Sequence, residues 1–254
     1  MSSFTIALII FSVILGGAAL GLFLKSILPE AHLSPESREV VKLSIGLIAT
    51  MTALVLGLMV GSVKSSFDAK GEEYNRICSN LVLLDRLLAQ YGPDTAAPRA
   101  LLKAAVTARS EELAQRKGES RVSKTDAYKT MVTLERLQAM IRALQPPNEA
   151  QKEIRDRALS VSADVVSARW HLLGGVASAV PTPFLVVVVI WLGIIFLSFG
   201  IFAPRNATTI TALCLAAVSV SGALFLILEM DRPFDGIIHL SEGPLQNAAQ
   251  YIGQ

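Results

Sequence analysis

The chain has 254 residues, 52% of them hydrophobic and only 17% charged, whereas a typical soluble domain is about 25% charged. A net charge of +2 makes no case for nucleic acid. The two cysteines, Cys78 in a charged segment and Cys214 in an apolar run, predict neither a disulfide nor a metal site.

The first element is an uncharged apolar run over 4–24, bounded by Lys25. About 20 apolar residues suffice to cross a bilayer as a helix. The residues before it, Met1-Ser2-Ser3, carry no positive charge, and the run is longer than the apolar part of a secretory signal, so a retained helix is expected. Gly17 and Gly21 share one face of it, a spacing that lets helix backbones approach closely in lipid.

A second uncharged run covers 43–63, between Lys42 and Lys64. Ala49, Ala53, Gly57 and Gly61 recur at four-residue spacing and make a small-residue face. Two readings stay open for it: packing within the subunit, or a face at a subunit interface or a narrow pore. Leu47, Met51, Leu54 and Leu58 form an apolar stripe on the same helix, and apolar constrictions can gate by dewetting.

Residues 65–180 read as a helical domain inserted between the second and third spans. Its first helix continues the second span without a Gly or Pro break, which would couple domain and membrane part mechanically. Phe67, Tyr74, Ile77, Leu81, Leu84, Leu88 and Tyr91 give it a heptad-like stripe. Gly92-Pro93-Asp94 ends it. Further helices are expected over about 97–117, 122–144 and 149–175, the last restarted by Pro146-Pro147-Asn148-Glu149. The interspersed charges read as the solvated surface of a bundle. No phosphate-binding glycine loop and no catalytic signature occurs, and His32, His171 and His239 read as surface or interface residues.

The third and fourth spans, 184–203 and 207–228, form a tight hairpin across Ala203-Pro204-Arg205-Asn206. Pro stops one helix and Asn206 can cap the next. No Asp, Glu, Lys, Arg or His lies inside any of the four runs, which argues against a proton-coupled pump. Four crossings put both termini and the inserted domain on one side. Lys25, Arg38, Lys42 and Arg205 flank the other side, against Lys64, Lys70, Arg76, Arg169 and Arg232 near the domain. The balance favours a cytoplasmic domain. The chain therefore divides into 1–64 with two spans, the cytoplasmic domain 65–180, the hairpin 181–229 and a cytoplasmic tail 230–254.

The fourth span runs into Leu228-Glu229-Met230-Asp231-Arg232-Pro233-Phe234-Asp235-Gly236, followed by Ser241-Glu242-Gly243-Pro244-Leu245. With Gly61-Ser62-Val63-Lys64-Ser65-Ser66-Phe67, these stretches resemble the bestrophin-like family of bacterial membrane proteins, which is distantly similar to the bestrophin channels. The resemblance covers the whole chain in span order. It implies a homopentamer in the inner membrane, a central pore lined by the second span, and a cytoplasmic bundle that extends that pore. Thr50, Met51, Leu54, Gly57, Leu58 and Gly61 become the pore-lining candidates. Two departures stand out: this second span has no bulky aromatic residue, and no acidic run of the kind that clasps calcium follows Phe234. Glu229, Asp231, Arg232 and Phe234 read either as a helix stop with local ion pairs or as a vestibule or regulatory site.

The expectation is an all-α membrane protein that is not an enzyme, binds no cofactor or metal, and conducts small inorganic ions with anions slightly preferred. The alternative is a non-conducting scaffold or sensor whose stripe over 67–91 binds a cytoplasmic partner. An exposed stripe would favour the scaffold, and a buried one the channel.

Overall fold

A computed structural model describes residues 2–29, 34–115, 124–174, 180–233 and 237–254. Among them the secondary structure is helical. In chain order the helices are α1 Ser3–Leu24, α2 Pro35–Tyr91, a 3-10 turn Pro93–Thr95, α3 Ala96–Gln115, α4 Lys124–Arg142, α5 Glu149–Gly174, α6 Thr182–Phe202, α7 Ala207–Met230 and α8 Gly243–Tyr251. The chain divides into two compact units, one of Met1–Ser66 with Ser178–Asp231, the other of Phe67–Ala177 with Arg232–Gln254. Helix α2 is unbroken through 57 residues, so the second span continues into 67–91 as the absence of Gly and Pro between Val63 and Phe67 leads one to expect.

In the first unit, four helices are long and apolar enough to cross a membrane: α1, α2, α6 and α7. Each buries one narrow face. On α1 it is Ala7, Ile10, Ile14 and Ala18, on α6 Val188, Leu192, Ile195 and Phe196, and on α7 Ala217, Leu224 and Ile227. The outward faces carry Phe4, Leu8, Phe23, Phe184, Ile190, Ile210, Leu215 and Val218, all exposed. So much large apolar surface is untenable in water and suits hydrocarbon.

Helix α1 meets α6 through glycines. A Cβ on Gly17 would sit 2.9 Å from the carbonyl oxygen of Gly193, and one on Gly21 would overlap the Leu197 carbonyl and stand 2.9 Å from the Gly200 Cα. Backbone thus lies against backbone, the contact that small residues permit in lipid. The C-terminal ends of these two helices are held by cations. Lys25 Nζ donates to the Ala203 carbonyl at 2.6 Å, and Arg205 Nη2 to the Leu22 carbonyl at 2.7 Å. Both place positive charge on carbonyls that a helix end leaves unpaired. Beyond Pro204, Asn206 caps α7 by accepting the Thr209 N–H at 2.8 Å.

The second unit packs the 67–91 part of α2 with α3, α4, α5 and α8 around Leu84, Leu88, Leu137, Ile141, Val161, Val165 and Ile252. The turn out of α2 needs glycine, because Gly92 has φ 121°. Asn148 caps α5, accepting the Gln151 N–H at 2.8 Å. Helix α8 lies in the segment that the sequence presents as a tail. It brings Leu245 and Ala248 into the core, and Ile252 at its C-cap joins them. The chain end is pinned as well: the Gly253 N–H donates to Asp85 at 3.0 Å.

Candidate functional site

The candidate site is the 43–63 stretch of α2, and its geometry follows from which positions are buried. Ile45, Thr52, Met59 and Val63 are buried in the first unit. At about 100° per residue these four fall within about 20° of a single direction around the helix axis. Helix α2 is therefore attached along one line.

The six pore-lining candidates lie on the other side. Thr50, Met51, Leu54, Gly57, Leu58 and Gly61 all fall within about 80° of the direction opposite Thr52. Leu54 is 59% exposed and Leu58 68% exposed within the subunit. A Cβ added at Gly57 or Gly61 would meet nothing within 4 Å. The apolar stripe that includes Leu47 begins one to two turns earlier, since Val40 and Leu43 are exposed on the same face. Extending the three-and-four spacing backwards from Leu47 reaches both.

The small-residue stripe of α2 does not stay on one side. A four-residue step advances about 40° around the helix. Ala49 is half-buried against the core, whereas Ala53, Gly57 and Gly61 are exposed. The stripe starts at the attachment line and winds into the open face.

Three hydroxyls of this stretch are bonded back to their own helix. Ser44 donates to the Val40 carbonyl at 3.0 Å, Thr50 to Gly46 at 2.8 Å and Thr52 to Ile48 at 2.7 Å. The open face from Leu43 to Gly61 therefore offers methyl groups and bare glycine backbone, with no charge. Chemically it can exclude or partly dehydrate a solute, and it holds no nucleophile or general base.

The charged cluster after α7 is divided by burial. Glu229 is buried in the last turn of α7, Asp231 is half-buried at its C-cap, and Arg232 is exposed. Ser3 Oγ lies 3.5 Å from the neighbouring Leu228 carbonyl. Phe234 lies outside the described residues. Among the described residues no group of His, Cys, Asp and Glu is arranged to hold a metal ion.

In the second unit, the stripe on α2 faces its own bundle. Ile77, Leu81, Leu84, Leu88 and Tyr91 are buried, and Tyr74 packs against the same core. The exposed positions of that part of α2 are largely polar: Asp68, Glu72, Arg76, Ser79, Arg86 and Gln90, with Leu83 among them.

With this geometry in view, comparison with known proteins is decisive on one point. A family model described as a bestrophin-like domain matches residues 12–245. The chain belongs to the bestrophin-like family. Neither a curated protein nor a solved structure gives a significant match to it. The bestrophin-like family is channel-like rather than enzymatic, and four apolar helices make this member a membrane protein.

Proposed function

We propose that this bestrophin-like protein is an oligomeric ion channel, a homopentamer whose second spanning helix lines the pore. The observation that carries the reading is the attachment of α2 by one line, with Met51, Leu54, Gly57, Leu58 and Gly61 left open on the far side. Around a symmetry axis, Leu54 and Leu58 from each copy form successive apolar rings. Gly57 and Gly61 between and below them widen the path by lacking side chains. An ion crosses by shedding part of its hydration at those rings. With no charge on this face and the Thr50 hydroxyl bonded to its own backbone, selectivity is modest, and small inorganic anions pass slightly better than cations. The inserted bundle and both termini lie in the cytoplasm and the spans in the bacterial inner membrane, consistent with the Lys and Arg flanking the spans.

The scaffold reading required the stripe over 67–91 to be available to a partner. Its burial by α3, α4, α5 and α8 removes that surface and favours the channel. The deciding experiment is recording from purified protein in planar bilayers under a KCl gradient. A reproducible conductance with a defined reversal potential is expected, and Leu54→Ala or Leu58→Ala raises it or relaxes selectivity. Silence across pH, calcium and voltage, from protein shown to be folded and oligomeric, returns the reading to a non-conducting scaffold.

A further inference from the structure

The surface where α1 and α6 end and α2 and α7 begin gathers positive charge. Lys25 Nζ donates to the Ala203 carbonyl at 2.6 Å and Arg205 Nη2 to the Leu22 carbonyl at 2.7 Å, so the two cations cross between the helix ends. Arg38, near the start of α2, stands over the Phe202 ring with its guanidinium carbon 6.0 Å from the centroid. Three cations thus converge on residues 202–205 and Leu22. Lys42 follows one turn along α2 from Arg38. The acids of α2 in this stretch are turned elsewhere. At about 100° per residue, Arg38 and Lys42 fall within about 80° of the Thr52 direction along which α2 is attached, and Glu36 and Glu39 lie about 140° or more from it. Glu30 lies outside the described residues.

These cations are within reach of a ligand, since Arg38, Lys42 and Arg205 are exposed. The protein beside them is apolar: Phe23 is 61% exposed and Ile27 63%, two residues to either side of Lys25. We infer that Arg38, Lys42 and Arg205, with Lys25 pinning the helix ends, bind the phosphate headgroup of an acidic phospholipid. A guanidinium presents a planar fork of N–H donors that matches two oxygens of a phosphate. Free phosphate would use the cations alone. A lipid also lays its acyl chains along Phe23 and the outward face of α1, so it is the ligand that fits both halves of the surface. The site is confined to the first unit, is separate from the open face of α2 and does not rest on conduction.

The test is native mass spectrometry of the full chain, released from detergent micelles that carry equal amounts of phosphatidylglycerol and phosphatidylcholine. Wild type is expected to prefer phosphatidylglycerol by about tenfold or more in apparent affinity, since each cation near the surface is worth about fivefold. Arg38→Gln and Lys42→Gln each lower the preference by about that factor, and Arg38→Lys restores most of it. Arg86→Gln, at an exposed cation of the helical unit, leaves it unchanged. Arg205→Gln also removes the bond to the Leu22 carbonyl. Where that variant fails to fold, Arg38→Gln decides, because Arg38 contacts a ring and not a helix end. Equal binding of the two lipids by wild type, an unchanged preference in both Arg38→Gln and Lys42→Gln, or the same loss in Arg86→Gln overturns the site. So does a rise in melting temperature with sodium phosphate in lipid-free detergent that matches the rise with phosphatidylglycerol, because the ligand is then the free ion.

Discussion

Asp85 is a tightly held carboxylate of the helical unit. It is fully buried and accepts hydrogen bonds from Arg99 Nε at 3.0 Å, Arg99 Nη2 at 3.2 Å and the Gly253 N–H at 3.0 Å. Burial alone would raise its pKa, but the Arg99 hydrogen bonds and the Gly253 N–H outweigh it and hold the carboxyl below the usual 3.8. A carboxyl depressed on folding stabilises the native state fully above its unfolded pKa. That stability is lost as pH falls through the folded value. Acid melts of the wild type should therefore weaken below about pH 4. Asp85→Asn should cost about 2 kcal/mol at pH 7, since it removes the charged acceptor of hydrogen bonds from the partly exposed Arg99 guanidinium, and should flatten the acid dependence. Melting curves from pH 7 to pH 3 measure both. A variant as stable as wild type, or with the same acid slope, would show that another group carries the effect. Nothing in the local sequence marks Asp85 as special. It sits among Leu84, Arg86 and Leu87, and its partners lie 14 and 168 positions away.

Glycine plays opposite parts on three spanning helices, close contact on α1 and α6 and open space on α2. At Gly21 and Gly200 a Cβ would overlap backbone of the partner helix, reaching the Leu197 carbonyl from one and the Ala18 carbonyl from the other. At Gly57 and Gly61 a Cβ meets open space. Gly21→Ala or Gly200→Ala must push α1 and α6 apart, at about 1–3 kcal/mol. Gly57→Ala should leave subunit stability unchanged or slightly raised through helix propensity. Comparing the melting temperatures of the three variants in one detergent tests the contrast, and equal losses would refute it. The spans themselves were legible because an uncharged run of about 20 residues has few other fates, and the cap at Asn206 because Pro204 had to stop a helix. The stripe from Tyr74 to Tyr91 was legible because polar residues outline it. Which side of α2 attaches to its neighbours was not. When nearly every position of a spanning helix is apolar, periodicity carries no direction, and only packing reveals that Thr52 faces inward and Leu54 outward. Helix α8 was missed for a related reason, since nine residues with few large apolar side chains give too short a pattern to read.

At the scale of the whole molecule, the open face of α2 must meet lipid, another copy, or water. Its composition alone cannot choose, because leucines suit hydrocarbon as well as a dewetting pore. Chemistry can choose, because hydrophilic thiol reagents react in water and not in lipid. Thr50, Leu54 and Leu58 are accordingly replaced one at a time by cysteine, in a background with Cys78→Ala and Cys214→Ser, which removes both native cysteines. If these positions line a pore, a charged methanethiosulfonate reaches each of them and reduces the current within seconds to minutes. Positions at about right angles around the helix, such as Val60, remain unmodified. If the face lies against lipid, all of these cysteines resist the charged reagent while a membrane-permeant maleimide still labels them. If it is sealed between copies, Thr50→Cys, Leu54→Cys or Leu58→Cys forms disulfide-linked oligomers under mild oxidant and leaves conduction unchanged. Block at Leu54 and Leu58 together with protection at Val60 is the pattern that a pore along α2 requires, because only an aqueous path along that face exposes one side of the helix and spares the flank.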